Sequence, residues 1–159
     1  MISTGDMNDR GGTGVSDERL NLRIANDLAE LSRVAESVDE FCATQAIPAG
    51  CAFKLSIALE ELLTNTISYG YDDEQRHEIA IDITREGEAI VTELSDDARP
   101  FDPLNAPPPD LDSAIEDRRV GGLGVHLVKT LMDDVRYVYR NGRNYITLRK
   151  NIAADSDAG

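Results

Sequence analysis

Two runs of alternating apolar and polar residues constrain this chain most. Ile79, Ile81 and Ile83 form the first, and Ile90, Thr92 and Leu94 the second, on either side of the turn Arg85-Glu86-Gly87-Glu88. Side chains along a strand point to opposite faces in turn, so each run has one apolar face, and the turn folds the pair into an antiparallel hairpin. A lone hairpin is not stable in water, so its apolar face must be covered by another layer. Two helical patterns offer that cover. The first has the stripe Leu28, Leu31, Val34, Val38, Phe41 and Cys42, with Asn26 or Asp27 as its cap, and ends at Ile47-Pro48-Ala49-Gly50. The second runs over about 52–68, with Phe53, Ile57, Leu62 and Ile67 among its apolar positions and Gly70 as its stop. Leu20, Leu22 and Ile24 alternate as a first strand, a glycine-opened helix is predicted at about 124–132, and two last strands flank Asn141-Gly142. The order predicts an α/β fold: a two-layer sandwich, with a mixed, mainly antiparallel sheet and helices on one face.

A chain of 159 residues, 41% of them hydrophobic, suffices for one domain with a core. The expected division is a polar, Gly-rich tail over 1–17, a domain over 18–150 and a frayed tail over 151–159. With 30 acidic and 16 basic residues the formal net charge is −14, which disfavours direct nucleic-acid or anionic-membrane partners. It leaves a nucleotide possible, which needs only local donors and a metal ion. No apolar run approaches the roughly 18 residues of a membrane span, and no signal-peptide pattern stands at the start, so a cytoplasmic location is expected. Cys42 and Cys51 have no CxxC spacing and read as buried thiols, not zinc ligands.

Three segments have the residue types for chemistry. Glu61 and Asn65 stand four apart on one face of the second helix. A carboxamide oxygen there suits Mg²⁺, and a carboxylate suits proton acceptance, although, taken alone, the pair is better accounted for as a solvated polar face. Asp96, which opens Asp96-Asp97-Ala98-Arg99-Pro100-Phe101-Asp102-Pro103 at a strand end, can accept from an exocyclic amine or simply start a turn. Gly121-Gly122-Leu123-Gly124 precedes a helix, where glycines and free backbone N–H groups suit phosphates. Neither a P-loop nor a dinucleotide fingerprint is present. His126 reads as a core or rim histidine, and His77 as a solvent residue opening a strand.

In order, these segments resemble the N, G1 and G2 boxes of the GHKL superfamily of ATPases, whose domain is the Bergerat ATP-binding fold. The resemblance covers about 20–150. Thr-Asn-Thr-Ile-Ser-Tyr-Gly-Tyr at 64–71 and Met-Asp-Asp-Val at 132–135 look most like the anti-sigma factor serine kinases. The resemblance implies ATP and Mg²⁺ as cofactors, Glu61 as general base, Asn65 as the Mg²⁺ ligand and Asp96 as the adenine-reading carboxylate. It further implies Gly122 and Gly124, with Leu123 between them, at the phosphates, and an ATP lid between Asp96 and Gly122. Ala98 stands where the G1 box commonly carries Gly, a methyl that could crowd the nucleotide. Asn144 is the nearest match to a Thr usually found near the adenine. The implied partners are a sigma factor and a small anti-anti-sigma (STAS-type) protein phosphorylated on serine, and such kinases are often homodimers. Two other readings stand beside the kinase: a non-catalytic Bergerat module that binds a sigma factor or antagonist, and a histidine-kinase-like ATPase domain acting in trans.

Overall fold

The computed structural model describes residues 14–15, 19–105 and 122–153. Among the described residues six strands form one sheet: β1 (Gly14–Val15), β2 (Arg19–Ala25), β3 (Glu78–Glu86), β4 (Ala89–Asp96), β5 (Asp134–Arg140) and β6 (Arg143–Asn151). Their order is β1-β2-β3-β4-β6-β5, and every pair is antiparallel. The α-helices among the described residues are α1 (Leu31–Thr44), α2 (Ala49–Tyr69) and α3 (Gly122–Leu131). The expected two-layer sandwich is thus the observed one. Gly14 and Val15 pair with Asn21 and Leu20, so the stretch read as an unstructured tail includes a short strand.

Alternation along the strands decides which face is covered. Leu20, Leu22 and Ile24 of β2, Ile79, Ile81 and Ile83 of β3, Ile90 and Leu94 of β4, and Ile146 and Leu148 of β6 are all buried in one cluster with the helices. A strand shifted by one residue would turn this whole set outward, so the apolar pattern fixes the register. The β5–β6 hairpin turns at Asn141 and Gly142, with φ of 53° and 78°. Both values fall in the left-handed region that a two-residue turn of this hand requires and that Asn and Gly tolerate best.

The helices depart from expectation at particular residues. Leu28 belongs to a 3₁₀ turn, Leu28–Glu30, which Asp27 caps by accepting from the Ala29 N–H at 2.9 Å. That tighter turn rotates Leu28 off the α1 stripe, and it is 50% exposed; Val34, Val38, Phe41 and Cys42 are the buried positions. Helix α2 starts at Ala49, three residues earlier than expected, because Pro48 stands before its first turn and does not interrupt it. Its buried face is Cys51, Leu55, Ala58, Leu59, Leu62 and Leu63. Phe53 lies about 200° around the helix from Cys51 and is 65% exposed, so its apolar character does not place it in the core. Both cysteines are buried free thiols. Among the described residues no helix is long and apolar enough to cross a membrane.

Gly70 ends α2 as expected, but not through a left-handed conformation, since its φ is −86°. It is needed for space. A Cβ built there would lie 2.6 Å from the Thr66 carbonyl oxygen and 2.8 Å from the Ala98 Cβ. Gly70→Ala should therefore destabilise the fold by about 2 kcal/mol in urea unfolding. Adding Ala98→Gly should recover part of that loss, a favourable coupling of roughly 1 kcal/mol in a double-mutant cycle.

Candidate functional site

The three sequence segments occupy distinct structural positions. Glu61 and Asn65 lie one turn apart on α2, both half-buried, beside the fully packed Leu62 and Leu63. Asp96 is the last residue of β4 and is only 4% exposed. Gly122, Leu123 and Gly124 form the first turn of α3, where the leading N–H groups of a helix have no intrahelical partner. Helix α3 packs against α2, so the glycine turn and the Glu61–Asn65 helix belong to adjacent elements. The expected lid falls mostly on 106–121, outside the described residues, and Gly121 lies there too.

Asp96 is built into a network of neutral donors. Its Oδ1 accepts from the Ala98 N–H at 3.0 Å and from Asn144 Nδ2 at 2.9 Å. Among the described residues no donor reaches Oδ2. Burial raises the Asp96 pKa, while the Asn144 and Ala98 hydrogen bonds and the Arg143 charge pull it down. A buried carboxylate with one oxygen held and the other unused is a fixed acceptor for an incoming N–H donor.

Asn144 is the direct cross-strand partner of Asp96 in the β4–β6 register. Its Nδ2 also donates to the Ala98 and Arg99 carbonyl oxygens, each at 3.1 Å. Its Oδ1 accepts from the Phe101 N–H at 3.3 Å and the Tyr137 hydroxyl at 2.5 Å. The amide expected beside the adenine is thus fully engaged inside the protein, where it shapes residues 96–101. Ala98 is 5% exposed, and its methyl faces Gly70 at the end of α2, filling the space that glycine leaves. The Arg99 N–H donates to the Gly70 carbonyl oxygen at 2.9 Å, which ties the chain after β4 to the helix end.

The contacts around this junction escaped the sequence reading. His77, expected in solvent, stacks on Tyr71 with ring centroids 4.4 Å apart and contacts two carboxylates, Asp73 and Asp97. Arg99 donates to Asp72 at 2.8 Å. The only local signal was the four-residue spacing of Asp73 and His77; the Asp97 contact spans twenty positions. His126 is exposed on α3.

Among the described residues no group of three His, Cys, Asp or Glu side chains could hold a metal ion. Asn65 with a neighbouring Glu61 suits Mg²⁺, which keeps several waters and takes phosphate oxygens to complete its shell.

Residues 24–150 match the family described as the histidine kinase-like ATPase domain. The chain belongs to that family. The serine-protein kinase RsbW of Listeria monocytogenes is 33% identical over 92 residues, covering 55% of this chain and 59% of the kinase. The chain therefore matches less than two thirds of that relative's length. The serine/threonine-protein kinase BtrW of Bordetella bronchiseptica is 26% identical over 104 residues, covering 65% of this chain and 73% of BtrW. A crystal structure of RsbU and RsbW domains from Mycobacterium tuberculosis superposes with a TM-score of 0.60 at 13% identity, over 84% of this chain and 32% of that one. At that identity the likeness is one of fold.

The network predicts its own energetics. Asn144→Ala removes donors to Asp96 and two carbonyls, and should cost about 3 kcal/mol in stability. It should also raise the Asp96 pKa further in a carbon-13 carboxylate titration, because the largest hydrogen bond holding it down is gone. Tyr137→Phe, which removes one donor to the same amide, should cost only about 1 kcal/mol.

Proposed function

We propose that this domain binds Mg-ATP and phosphorylates a serine of a small STAS-type anti-anti-sigma protein, and so acts as an anti-sigma factor kinase in a partner switch. One observation carries the reading: the buried Asp96, held at Oδ1 and unused at Oδ2, at a strand end tied to the helix that bears Glu61 and Asn65. Asp96 Oδ2 accepts from the adenine amine, while Asn144 and Ala98 hold the carboxylate from behind. Asn65 offers its carboxamide oxygen to Mg²⁺, and the first turn of α3, with Gly122, Leu123 and Gly124, turns its free N–H groups to the phosphates. Bound Mg²⁺ would neutralise phosphate charge during transfer.

Glu61 takes the proton from the serine hydroxyl as the new O–P bond forms, and the bond from the γ-phosphorus to the bridging oxygen breaks to release ADP. The relatives named as serine-protein kinases support this choice of acceptor. The net charge of −14 suits a partner with basic patches, as a sigma factor has on its DNA-binding faces. A homodimer and a cytoplasmic location complete the proposal, with 18–150 as the active unit. Ala98 slightly favours the non-catalytic reading, whereas the burial of its methyl against Gly70 supports the catalytic one.

Calorimetry with ATP, with and without Mg²⁺, tests the proposal. Wild type should bind in a Mg²⁺-dependent way. Asp96→Asn keeps an Oδ1 to accept from Ala98 and Asn144, so it should fold with equal or greater stability and lose at least about tenfold in affinity. Glu61→Gln should bind ATP like wild type and lose about 10²-fold or more of phosphate transfer to a STAS-type substrate. Transfer by Glu61→Gln at the wild-type rate would remove Glu61 from the chemistry. An acid-labile phosphoprotein would point to histidine as the acceptor.

A further inference from the structure

Segment 70–77 joins α2 to β3 and is pinned to the chain that follows β4. Arg99 contributes two of the ties, its N–H to the Gly70 carbonyl and its guanidinium to Asp72. The third is His77. Its Nε2 lies 2.9 Å from Asp73 Oδ1 and its Nδ1 lies 3.1 Å from Asp97 Oδ2. Its backbone is fixed to the end of β2, with the His77 N–H donating to Asn26 Oδ1 at 2.9 Å and the Asn26 N–H donating to the His77 carbonyl at 3.0 Å.

A neutral imidazole carries one N–H, whereas both ring nitrogens here face carboxylate oxygens, which only accept. In the neutral ring one of the two contacts would set a nitrogen lone pair against a carboxylate. Only the imidazolium satisfies both. Asp97 directly follows Asp96, so whatever fixes Asp97 also fixes the backbone of the adenine-reading residue.

We propose that His77, as the imidazolium, is a positioning residue that clasps Asp73 to Asp97, holds the end of α2 against the strand end that bears Asp96, and so makes nucleotide affinity depend on pH. The inference rests on the nucleotide reading above, and the clasp itself can be tested without it. Hydrogen bonds to Asp73 and Asp97 raise the His77 pKa, and the bond from His77 lowers that of Asp73. The signs define a window. The His77 contribution is fully present below the ordinary histidine value of about 6.5 and is lost as pH rises through its raised value. The Asp73 contribution is present above the ordinary aspartate range and is lost as pH falls through its lowered value. The other groups facing the ring are few. Tyr71 stacks on it, and Asp27, Glu74 and Arg76 line the hollow beside Tyr71 and Asp73. The ring nitrogens are contacted by the carboxylates of Asp73 and Asp97 and by none of these groups.

The experiment is an NMR titration of the whole chain from pH 5 to 9, paired with calorimetry of ADP and Mg²⁺ over the same range. The His77 imidazole is assigned as the signal missing from His77→Gln. It should titrate above the ordinary histidine value and move down in Asp97→Asn. The backbone amides of Asp97, Ala98 and Arg99 should follow the same midpoint without nucleotide. ADP affinity should fall roughly fivefold as pH rises through that midpoint in wild type and change less in His77→Gln. If His77→Gln lacks native amide dispersion, Asp97→Asn carries the same comparison. A His77 that titrates at or below the ordinary value overturns the proposal. So do amides at 97–99 that ignore its midpoint, or an ADP profile identical in wild type and both variants. A clasp that titrates as stated while ADP binds at no pH supports the clasp and overturns the nucleotide reading instead.

Discussion

A buried carboxylate at the end of a strand organises the working end of this protein. Asp96 has little access to water, and a charge in that position is tolerated only where donors surround it. The donors come from the chain two residues on and from the facing strand, so sheet register and loop shape are set by the same atom, Oδ1. A slip of one residue between β4 and β6 would replace Asn144 by Tyr145 or Arg143 opposite Asp96, and neither presents an amide to it. The segment 97–101 has no regular secondary structure, yet Asn144 holds it at three backbone points. Its shape follows from the pairing of two strands.

Helix α2 has two duties that its geometry keeps apart. Six buried side chains lock its rotation over the sheet, and that rotation sets where Glu61 and Asn65 point. Its far end is joined to the strand end through Gly70, where the missing side chain lets Ala98 approach. The acceptor on the sheet and the polar pair on the helix are therefore held in one frame by packing on one side and hydrogen bonds on the other. Every tie named in that frame lies within the described residues.

The strands were legible in the sequence because isoleucine alternation has a period of two and Asn-Gly specifies its turn. The helices were legible as elements but not at their ends. Pro48 reads as part of a break yet stands where a helix begins, and Phe53 reads as one of the apolar positions of α2 yet its angle puts it outside the core. The family was legible through the order of three motifs, each of which has an ordinary structural explanation alone. What could not be read were contacts between distant positions. Nothing local says that Ala98 meets Gly70, that Asn144 is fully engaged by its neighbours, or that His77 reaches Asp97. Such pairings depend on how the chain after β4 folds back on the end of α2, and that is a property of the packed molecule.

The two buried cysteines give the helix layer a further property. Burial pushes the Cys42 thiol up to about 12, with Cys51 and Asp39 adding to the effect. Thiolate, not thiol, reacts with alkylating agents and oxidants, so the Cys42 sulfur is chemically silent while the helices stay packed, and the fully buried Cys51 is out of a reagent's reach. Their modification must wait for α1 and α2 to part from the sheet. The rate of that modification therefore counts spontaneous openings of the helix layer, and reports them separately from motions at the Asp96 end of the sheet.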